Sequence, residues 1–155
     1  MAETKPRPWT PREERFATVA TRIMSLVNTI VFKASGGRLG AKFLRGAPVC
    51  LVTTKGARSG LTRTTPLIYL ADGERVVLVA SKGGMSHHPA WYHNLAEHPD
   101  CSVQIGRRVR EMSARRASDA EKAQIWPRLL AIYPDYADYQ ARTERNIPVM
   151  ILSPR

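Results

Sequence analysis

The chain has 155 residues, and 24 lysines and arginines against 13 aspartates and glutamates give it a net charge of +11. Two cysteines are too few for a disulfide scaffold, and no run of about 18 apolar residues argues for a membrane span. The first 15 residues are charged and rich in proline, unlike a signal peptide. A single cytoplasmic domain with anionic partners is therefore expected: nucleic acid, anionic lipid or a small acidic ligand.

Residues 1–40 are predicted to form an N-terminal tail followed by an amphipathic helix over 13–33, which the glycine-rich stretch "SGGRLG" ends. Its apolar residues recur at helical spacing: Phe16, Val19, Ala20, Ile23, Val27, Ile30 and Val31. Two interpretations stay open. The apolar stripe packs on the rest of the protein, or the helix, with Arg12, Arg15, Arg22 and Lys33 nearby, lies on the inner face of the cell membrane.

Residues 41–155 are predicted to form a mainly β domain with peripheral helices. Strands are expected at 48–54, 62–72, 74–81, 101–106, 108–117 and 147–152. Helices are expected at 88–98, from a capping box at 118–121 to about 133, and at 135–145. Six short strands at hairpin spacing indicate an antiparallel barrel of the α+β class.

The stretch "TTKGARSGLTRTTPL" (53–67) places three cations and two glycines at a strand connection. It matches neither phosphate-binding pattern, GxxxxGK[ST] or GxGxxG. Glycines allow backbone N–H groups to approach an anion closely, which favours an anion site, although a solvated hairpin tip has the same composition. The residues concerned are Lys55, Arg58, Ser59, Gly60, Thr62 and Arg63.

Further candidate residues follow the third predicted strand. "SKGG" (81–84) is a second loop that tolerates anions. Trp91 and Asn94, three residues apart on a helix, would share one face. Tyr133, Tyr136 and Tyr139 form a ladder that suits a flat ligand. Core packing is the alternative for both aromatic groups.

The sequence gives little support for metal-dependent chemistry or for catalysis by a side-chain nucleophile. The four histidines lack the spacing of three or four residues that metal ligation on one helix face requires, and no HExxH motif occurs. No GxSxG motif and no evident carboxylate pair is present. An enzyme of this composition is expected to rely on a cofactor and to bind no metal.

The order of these motifs, ending in "WPRLLAIYPDYADYQ" and "RNIPVMIL", resembles the deazaflavin (F420)-dependent nitroreductase and quinone reductase family over about residues 46–154. The resemblance implies an FMN-binding-like split β-barrel of actinobacterial type. It also implies transfer of a hydride from reduced coenzyme F420 to a quinone such as menaquinone or a similar planar acceptor, with nitroaromatics as further acceptors.

The resemblance also assigns roles to residues. F420 carries a phosphate and an oligoglutamate tail, which the basic hairpin would bind. The implied cofactor-binding residues are Lys55, Arg58, Ser59, Gly60, Arg63, Pro66, Lys82, Trp91 and Asn94. Ser81 and Tyr136 are the implied catalytic residues, and Tyr133, Tyr139 and Ile68 line the acceptor side. Ile68 replaces a tyrosine of the nitroimidazole-activating member.

Two other functions remain as alternatives at this stage. One is an FMN-binding oxidoreductase of the pyridoxamine-oxidase type, which shares the fold. The other is a non-enzymatic basic barrel that binds polyanions. No nucleic-acid partner is expected, because the chain lacks aromatic residues interleaved with its basic ones. The oligomeric state is left open.

Overall fold

The computed structural model describes residues 4–155 as a closed barrel of six antiparallel strands with four α-helices. The strands are β1 (Val49–Lys55), β2 (Thr62–Asp72), β3 (Arg75–Val79), β4 (Asp100–Ile105), β5 (Arg108–Arg116) and β6 (Val149–Pro154). The helices are α1 (Pro11–Ala34), α2 (Ala90–Glu97), α3 (Asp119–Ile132) and α4 (Tyr136–Arg142). Around the barrel the order is β1-β2-β3-β6-β5-β4. The predicted barrel and all six strands are confirmed, and the division of the chain at residue 40 stays a prediction.

Pro66 marks the point where β2 changes neighbours. Residues 62–68 of this strand pair with β1, and residues 69–72 pair with β3. Proline has no N–H to donate, so it is tolerated where a strand has a partner on one side only. Pro66 lies opposite Leu51 in the one-sided part of β2, as its sequence context predicts.

Two apolar clusters fill the molecule because β3 and β6 are buried on both faces. Alternate residues point to opposite faces of a strand. Val76 and Leu78 thus join the cluster inside the barrel, whereas Val77 and Val79 join a second cluster outside it. Helices α3 and α4 cover this second cluster, which contains the tyrosines of the predicted ladder.

Helix α1 carries its apolar stripe on the outside. The exposed fractions of Phe16, Ile23 and Val27 are 79%, 60% and 55%. The stripe is completed by five further exposed residues: Val19, Met24, Leu26, Ile30 and Val31. The interpretation in which this stripe packs on the barrel is therefore wrong for this structure, because the helix turns its opposite face inward.

The inward face of α1 is largely polar. Thr29 and Phe32 are its buried residues. Within residues 4–155, the side-chain oxygens of Asn28 and Thr29 are buried without a hydrogen-bond partner. A buried polar group left unpaired costs about 1–3 kcal/mol. These two unpaired oxygens are thus a local cost of the orientation of α1.

Polar contacts fasten the first turns of α1 to the loop that follows β3. The Glu14 carboxylate accepts hydrogen bonds from the backbone N–H of Ser86 at 2.7 Å and from its hydroxyl at 2.9 Å. The indole N–H of Trp9 donates to the carbonyl of Gly83 at 2.8 Å. Although no membrane span was expected from the sequence, α1 has the length and the mean hydropathy, 1.2, of a membrane-crossing helix.

Candidate functional site

The β1–β2 hairpin ends in a loop whose backbone is tightly folded. The N–H of Gly56 donates to the carbonyl of Leu61 at 2.8 Å, and that of Gly60 to the carbonyl of Gly56 at 2.9 Å. A Cβ on Gly56 would lie 2.5 Å from Ser59 Oγ, and Gly60 has φ +68°. Gly60 is therefore favoured by the left-handed backbone of the loop, and at Gly56 a Cβ would require the Ser59 hydroxyl to move.

The three cations of this hairpin are exposed. Lys55 and Arg58 lie at the loop, and Arg63 lies opposite Thr54 in the β1–β2 ladder. No carboxylate forms an ion pair with any of the three within residues 4–155. Their charges are thus available to an anionic ligand, on which each charged hydrogen bond is worth about 1.5–3 kcal/mol.

Asn94 connects α2 to this hairpin. Its side-chain carbonyl accepts from the N–H of Ala57 at 2.9 Å, and its amide donates to Thr54 Oγ1 at 3.0 Å. The residue is buried, and its amide is engaged on both sides by the protein. Asn94 therefore shapes the hairpin, and its implied role at the cofactor stays a prediction.

Replacing Asn94 by alanine is expected to destabilise the protein by about 1–3 kcal/mol, because a buried hydroxyl and a backbone N–H lose their partners. For a chain of this size that corresponds to a fall in Tm of roughly 2–12 °C. Thermal unfolding followed by circular dichroism measures it. Asn146→Ala is the control, since Asn146 is exposed and bonds the side chains of Lys122 and Asp119. Equal Tm values for the two variants would contradict this role.

The "SKGG" loop is a tight turn after β3 with unusual backbone geometry. Lys82 has φ +44° and precedes Gly83 and Gly84, with φ +61° and +75°. A left-handed conformation costs a residue other than glycine about 1–2 kcal/mol. Such strain persists where surrounding contacts impose it, and it is common at functional sites.

Lys82 is held beside a histidine that the sequence did not single out for this role. Its ammonium lies 2.6 Å from His87 Nε2, and His87 Nδ1 lies 3.6 Å from the Glu14 carboxylate. Burial lowers the pKa of Lys82, with Arg22 and Arg145 acting in the same direction and Glu14 opposing them. Trp9, Glu14 and His87 thus complete the surroundings of this turn, and their wide separation in sequence explains why no motif revealed them.

The tyrosine ladder packs against the same turn. A Cβ on Gly84 would lie 2.5 Å from the carbonyl oxygen of Tyr139, so α4 and the turn meet backbone to backbone. The ring centroids of Tyr133 and Tyr136 are 5.0 Å apart with an edge-to-face angle of 72°. Ile68 packs against the same cluster. The predicted acceptor-side residues therefore lie together around one turn and one helix.

The phenol groups of the ladder differ in their partners. The hydroxyl oxygens of Tyr133 and Tyr139 are 3.0 Å apart and hydrogen-bonded. Tyr136 makes no such bond within residues 4–155, and its hydroxyl is not among the fully buried unpaired atoms. Burial raises the pKa of Tyr136, and Tyr133 and Tyr139 raise it further. Tyr136 is therefore a neutral phenol at physiological pH with a proton to donate.

Trp91 lies elsewhere, in the apolar cluster inside the barrel. Its exposed fraction is 6%, so the core-packing alternative describes it in this structure. Among residues 4–155, no group of three or more His, Cys, Asp or Glu side chains is arranged to hold a metal ion.

The family model for the F420H(2)-dependent quinone reductase matches residues 25–154. The chain belongs to this family. It is 42% identical over 118 residues to a Mycobacterium tuberculosis protein whose name assigns it to the same class, covering 76% of this chain and 99% of that protein. Another Mycobacterium tuberculosis protein, named an F420H(2)-dependent quinone reductase, is 35% identical over 128 residues, which cover 81% and 86% of the two chains.

Solved structures agree with this family. An F420-H2 dependent reductase, FDR-A, superposes with a TM-score of 0.64 at 41% identity, covering 68% of this chain and 94% of that one. A structure described as a domain-swapped dimer reaches 0.67 at 36% identity, covering 83% and 94%. A pyridoxamine 5′-phosphate oxidase-like protein of Listeria innocua, at 14% identity and a TM-score of 0.51, shares the fold alone.

The chain is therefore an oxidoreductase of the split-barrel fold that uses reduced coenzyme F420. This decides against the two alternatives from the sequence, an FMN-binding oxidoreductase and a non-enzymatic barrel that binds polyanions. The residues present fit this cofactor. Three exposed cations, none of them in an ion pair within residues 4–155, lie at a glycine-containing hairpin, as a phosphate and a carboxylate tail require.

Bound F420H2 supplies a hydride, so the protein's residues need to place the reactants and manage charge and protons. The hairpin cations would hold the anionic end of the cofactor. Lys82 lies in the turn next to Ser81, whose hydroxyl makes no hydrogen bond within residues 4–155. Ser81 and Tyr136, whose hydroxyls make no hydrogen bond within residues 4–155, would be able to donate to an acceptor oxygen as negative charge develops there.

Proposed function

We propose that the acceptor is a membrane quinone such as menaquinone, and that the protein reduces it at the inner face of the cell membrane with α1 lying in the interface. The observation that carries this proposal is the orientation of α1, which turns polar side chains toward the barrel and a continuous apolar stripe outward. Menaquinone resides in the layer that such a stripe would enter.

The charge of α1 and of the whole chain supports an anionic membrane surface as the partner. Arg12, Arg15, Arg22 and Lys33 lie on the helix that carries the stripe, and the net charge is +11. Each basic residue close to an anionic membrane surface contributes about 1 kcal/mol of attraction. A basic amphipathic helix with a large apolar face is typical of proteins that lie on membranes.

The contacts of α1 favour a helix that lies on the membrane over one that crosses it. A spanning helix is surrounded by lipid or by other membrane segments. Here the Glu14 carboxylate is bonded to the loop at Ser86, and Phe32 is fully buried against the barrel. One face of α1 is thus occupied by the barrel, and the other is free to enter the headgroup boundary.

Nitroaromatic reduction is proposed as a weaker activity of the same site. Ile68 lies against the tyrosine cluster at the position where the nitroimidazole-activating member of the family carries a tyrosine. This side of the site therefore lacks one phenol that would orient a nitro group.

Replacing Val27 by aspartate is expected to weaken liposome binding about tenfold or more, because burial of a valine side chain is worth about 1.5 kcal/mol. The control is Val109→Asp, since Val109 is exposed to nearly the same extent, 56% against 55%, but lies on β5. Co-sedimentation with vesicles of phosphatidylglycerol and phosphatidylethanolamine measures binding. Wild-type binding should fall as salt rises, since added ions screen the attraction.

Activity assays complete the test. Both variants should reduce water-soluble menadione as the wild type does, and only Val27→Asp should lose activity on menaquinone embedded in vesicles. Equal vesicle binding by the two variants contradicts the proposal. So does a wild-type dimer that ignores vesicles and is converted to a monomer by Val27→Asp, since the stripe would then be covered by a second copy of the chain.

A further inference from the structure

Arg145 lies in the segment between α4 and β6, and its guanidinium group converges on the loop after β3. Its Nε donates to the carbonyl of Met85 at 2.8 Å, and its Nη1 donates to that of Ala80 at 3.1 Å. Its Nη2 donates to the carbonyl of Ser81 at 2.5 Å. One side chain thus bonds three carbonyls of a single short loop.

A fourth contact fixes the plane of this guanidinium group. Its Nη1 lies 2.9 Å from His88 Nδ1, which accepts the hydrogen bond when the ring is neutral. Burial lowers the pKa of His88, and the charge of Arg145 lowers it further, which keeps the accepting form present. All three guanidinium nitrogens are therefore used, a pattern that the single ammonium of a lysine cannot reproduce.

The loop that Arg145 holds contains the strained Lys82 and also Ser81, two of the residues that the family resemblance implies at the site. Lys82, with φ +44°, follows directly on Ser81, whose carbonyl Arg145 binds. A left-handed lysine is retained only where its surroundings impose it. Other contacts bind further along, where Gly83 accepts from Trp9 and Met85 donates to the Lys82 carbonyl. Arg145 hydrogen-bonds the loop on both sides of the strained Lys82: to Ala80 and Ser81 before it and to Met85 after it.

We propose that Arg145 is a positioning residue for quinone reduction: its guanidinium fixes the 80–85 backbone so that the Ser81 hydroxyl and the Lys82 ammonium face the site in one arrangement. It is expected to touch neither cofactor nor acceptor, because its donors are committed to the protein. Its effect on turnover passes through the loop.

Replacing Arg145 by alanine is expected to lower kcat for menadione about tenfold, with a smaller change in the KM for menadione, because the tyrosine cluster that would bind the acceptor is left intact. A misplacement of a reacting group by about 1 Å costs up to 10²-fold in rate. Guanidinium chloride at a few millimolar, far below denaturing concentrations, should enter the space left by the side chain and restore activity at least threefold. A purely structural role would not give this rescue.

Two further variants sharpen the test. Arg145→Lys keeps the charge but not the planar set of N–H donors, so its kcat should stay several-fold below the wild-type value. Arg128→Ala is the control, because the Arg128 guanidinium is likewise hydrogen-bonded, to the Asp72 carboxylate and the Ala71 carbonyl, but outside this loop. Its kcat should equal that of the wild type and should not respond to guanidinium.

Several results would overturn the proposal. A folded Arg145→Ala variant with a kcat within twofold of the wild type removes the role. A folded Arg145→Ala variant that guanidinium does not rescue, or an Arg145→Lys variant with full activity, would show that the planar guanidinium group is not required. If Arg145→Ala does not fold, Arg145→Lys decides, and failure of both to fold makes Arg145 a residue of stability alone.

Discussion

Replacing Arg58 or Arg63 by alanine should weaken F420 binding by roughly 1.5–3 kcal/mol, which is about 10- to 150-fold in Kd. Each guanidinium is exposed, carries no ion pair within residues 4–155, and lies at the glycine-containing β1–β2 hairpin. Neither substitution removes a protein–protein hydrogen bond, so the Tm should not change. Titration of F420 followed by its absorbance or fluorescence measures the loss.

The control for this prediction is Arg108→Ala, which removes the same charge from the exposed start of β5. Its Kd for F420 should equal that of the wild type, showing that position and not total charge determines binding. FMN should bind more weakly than F420 to the wild type. Hairpin variants with unchanged Kd would place the anionic end of the cofactor elsewhere.

Replacing Tyr136 by phenylalanine should lower kcat for menadione about 10- to 100-fold while leaving the Kd for F420 nearly unchanged. A single hydrogen-bond donor to a developing oxyanion contributes about 10²–10³ in rate. Since the hydroxyl of Tyr136 makes no hydrogen bond within residues 4–155, its removal should cost no stability. Steady-state kinetics at saturating F420H2 measures the effect. Tyr92→Phe is the control, because Tyr92 lies on α2, outside the tyrosine cluster, and its hydroxyl accepts a hydrogen bond from Arg116.

The pH dependence gives this prediction a second readout. Burial raises the pKa of Tyr136 above its usual value near 10, so the donor form is fully present below that value and is lost only at higher pH. Ionisation of Tyr136 should therefore not lower wild-type turnover between pH 7 and 9. The pH profiles of the wild type and of Tyr136→Phe should have the same shape over that range. If the variant instead binds F420 poorly and turns over normally, the acceptor and cofactor sides are assigned the wrong way round.

Much of the barrel follows from local sequence signals. In β3, the run "VVLV" is apolar throughout because both faces are buried, and Asp72-Gly73 closes the turn before it. The capping box that begins α3 at Ser118 is present as predicted. Signals of this kind act between residues close in the chain, which is why periodicity and turn chemistry reveal them.

The orientation of α1 and the long-range contacts of the site could not be predicted from such local signals. Amphipathic spacing defines two faces of a helix but not which of them meets the barrel, and here the polar one does. Trp91 and Asn94 share a face by spacing, yet the first packs in the core and the second bonds the hairpin. Trp9 and Arg145 join the "SKGG" loop over 74 and 64 residues of chain, and no short motif records such contacts.

Selection for folding and selection for an interaction should act on different residues of α1. Its apolar side chains lie mostly in solvent in the isolated protein, so folding alone places little constraint on them and many polar substitutions there would leave the barrel intact. Any constraint on these positions comes from what the stripe meets in the cell. Persistence of large apolar residues there through sequence drift would then record an interaction, whereas the same persistence inside the barrel records only packing.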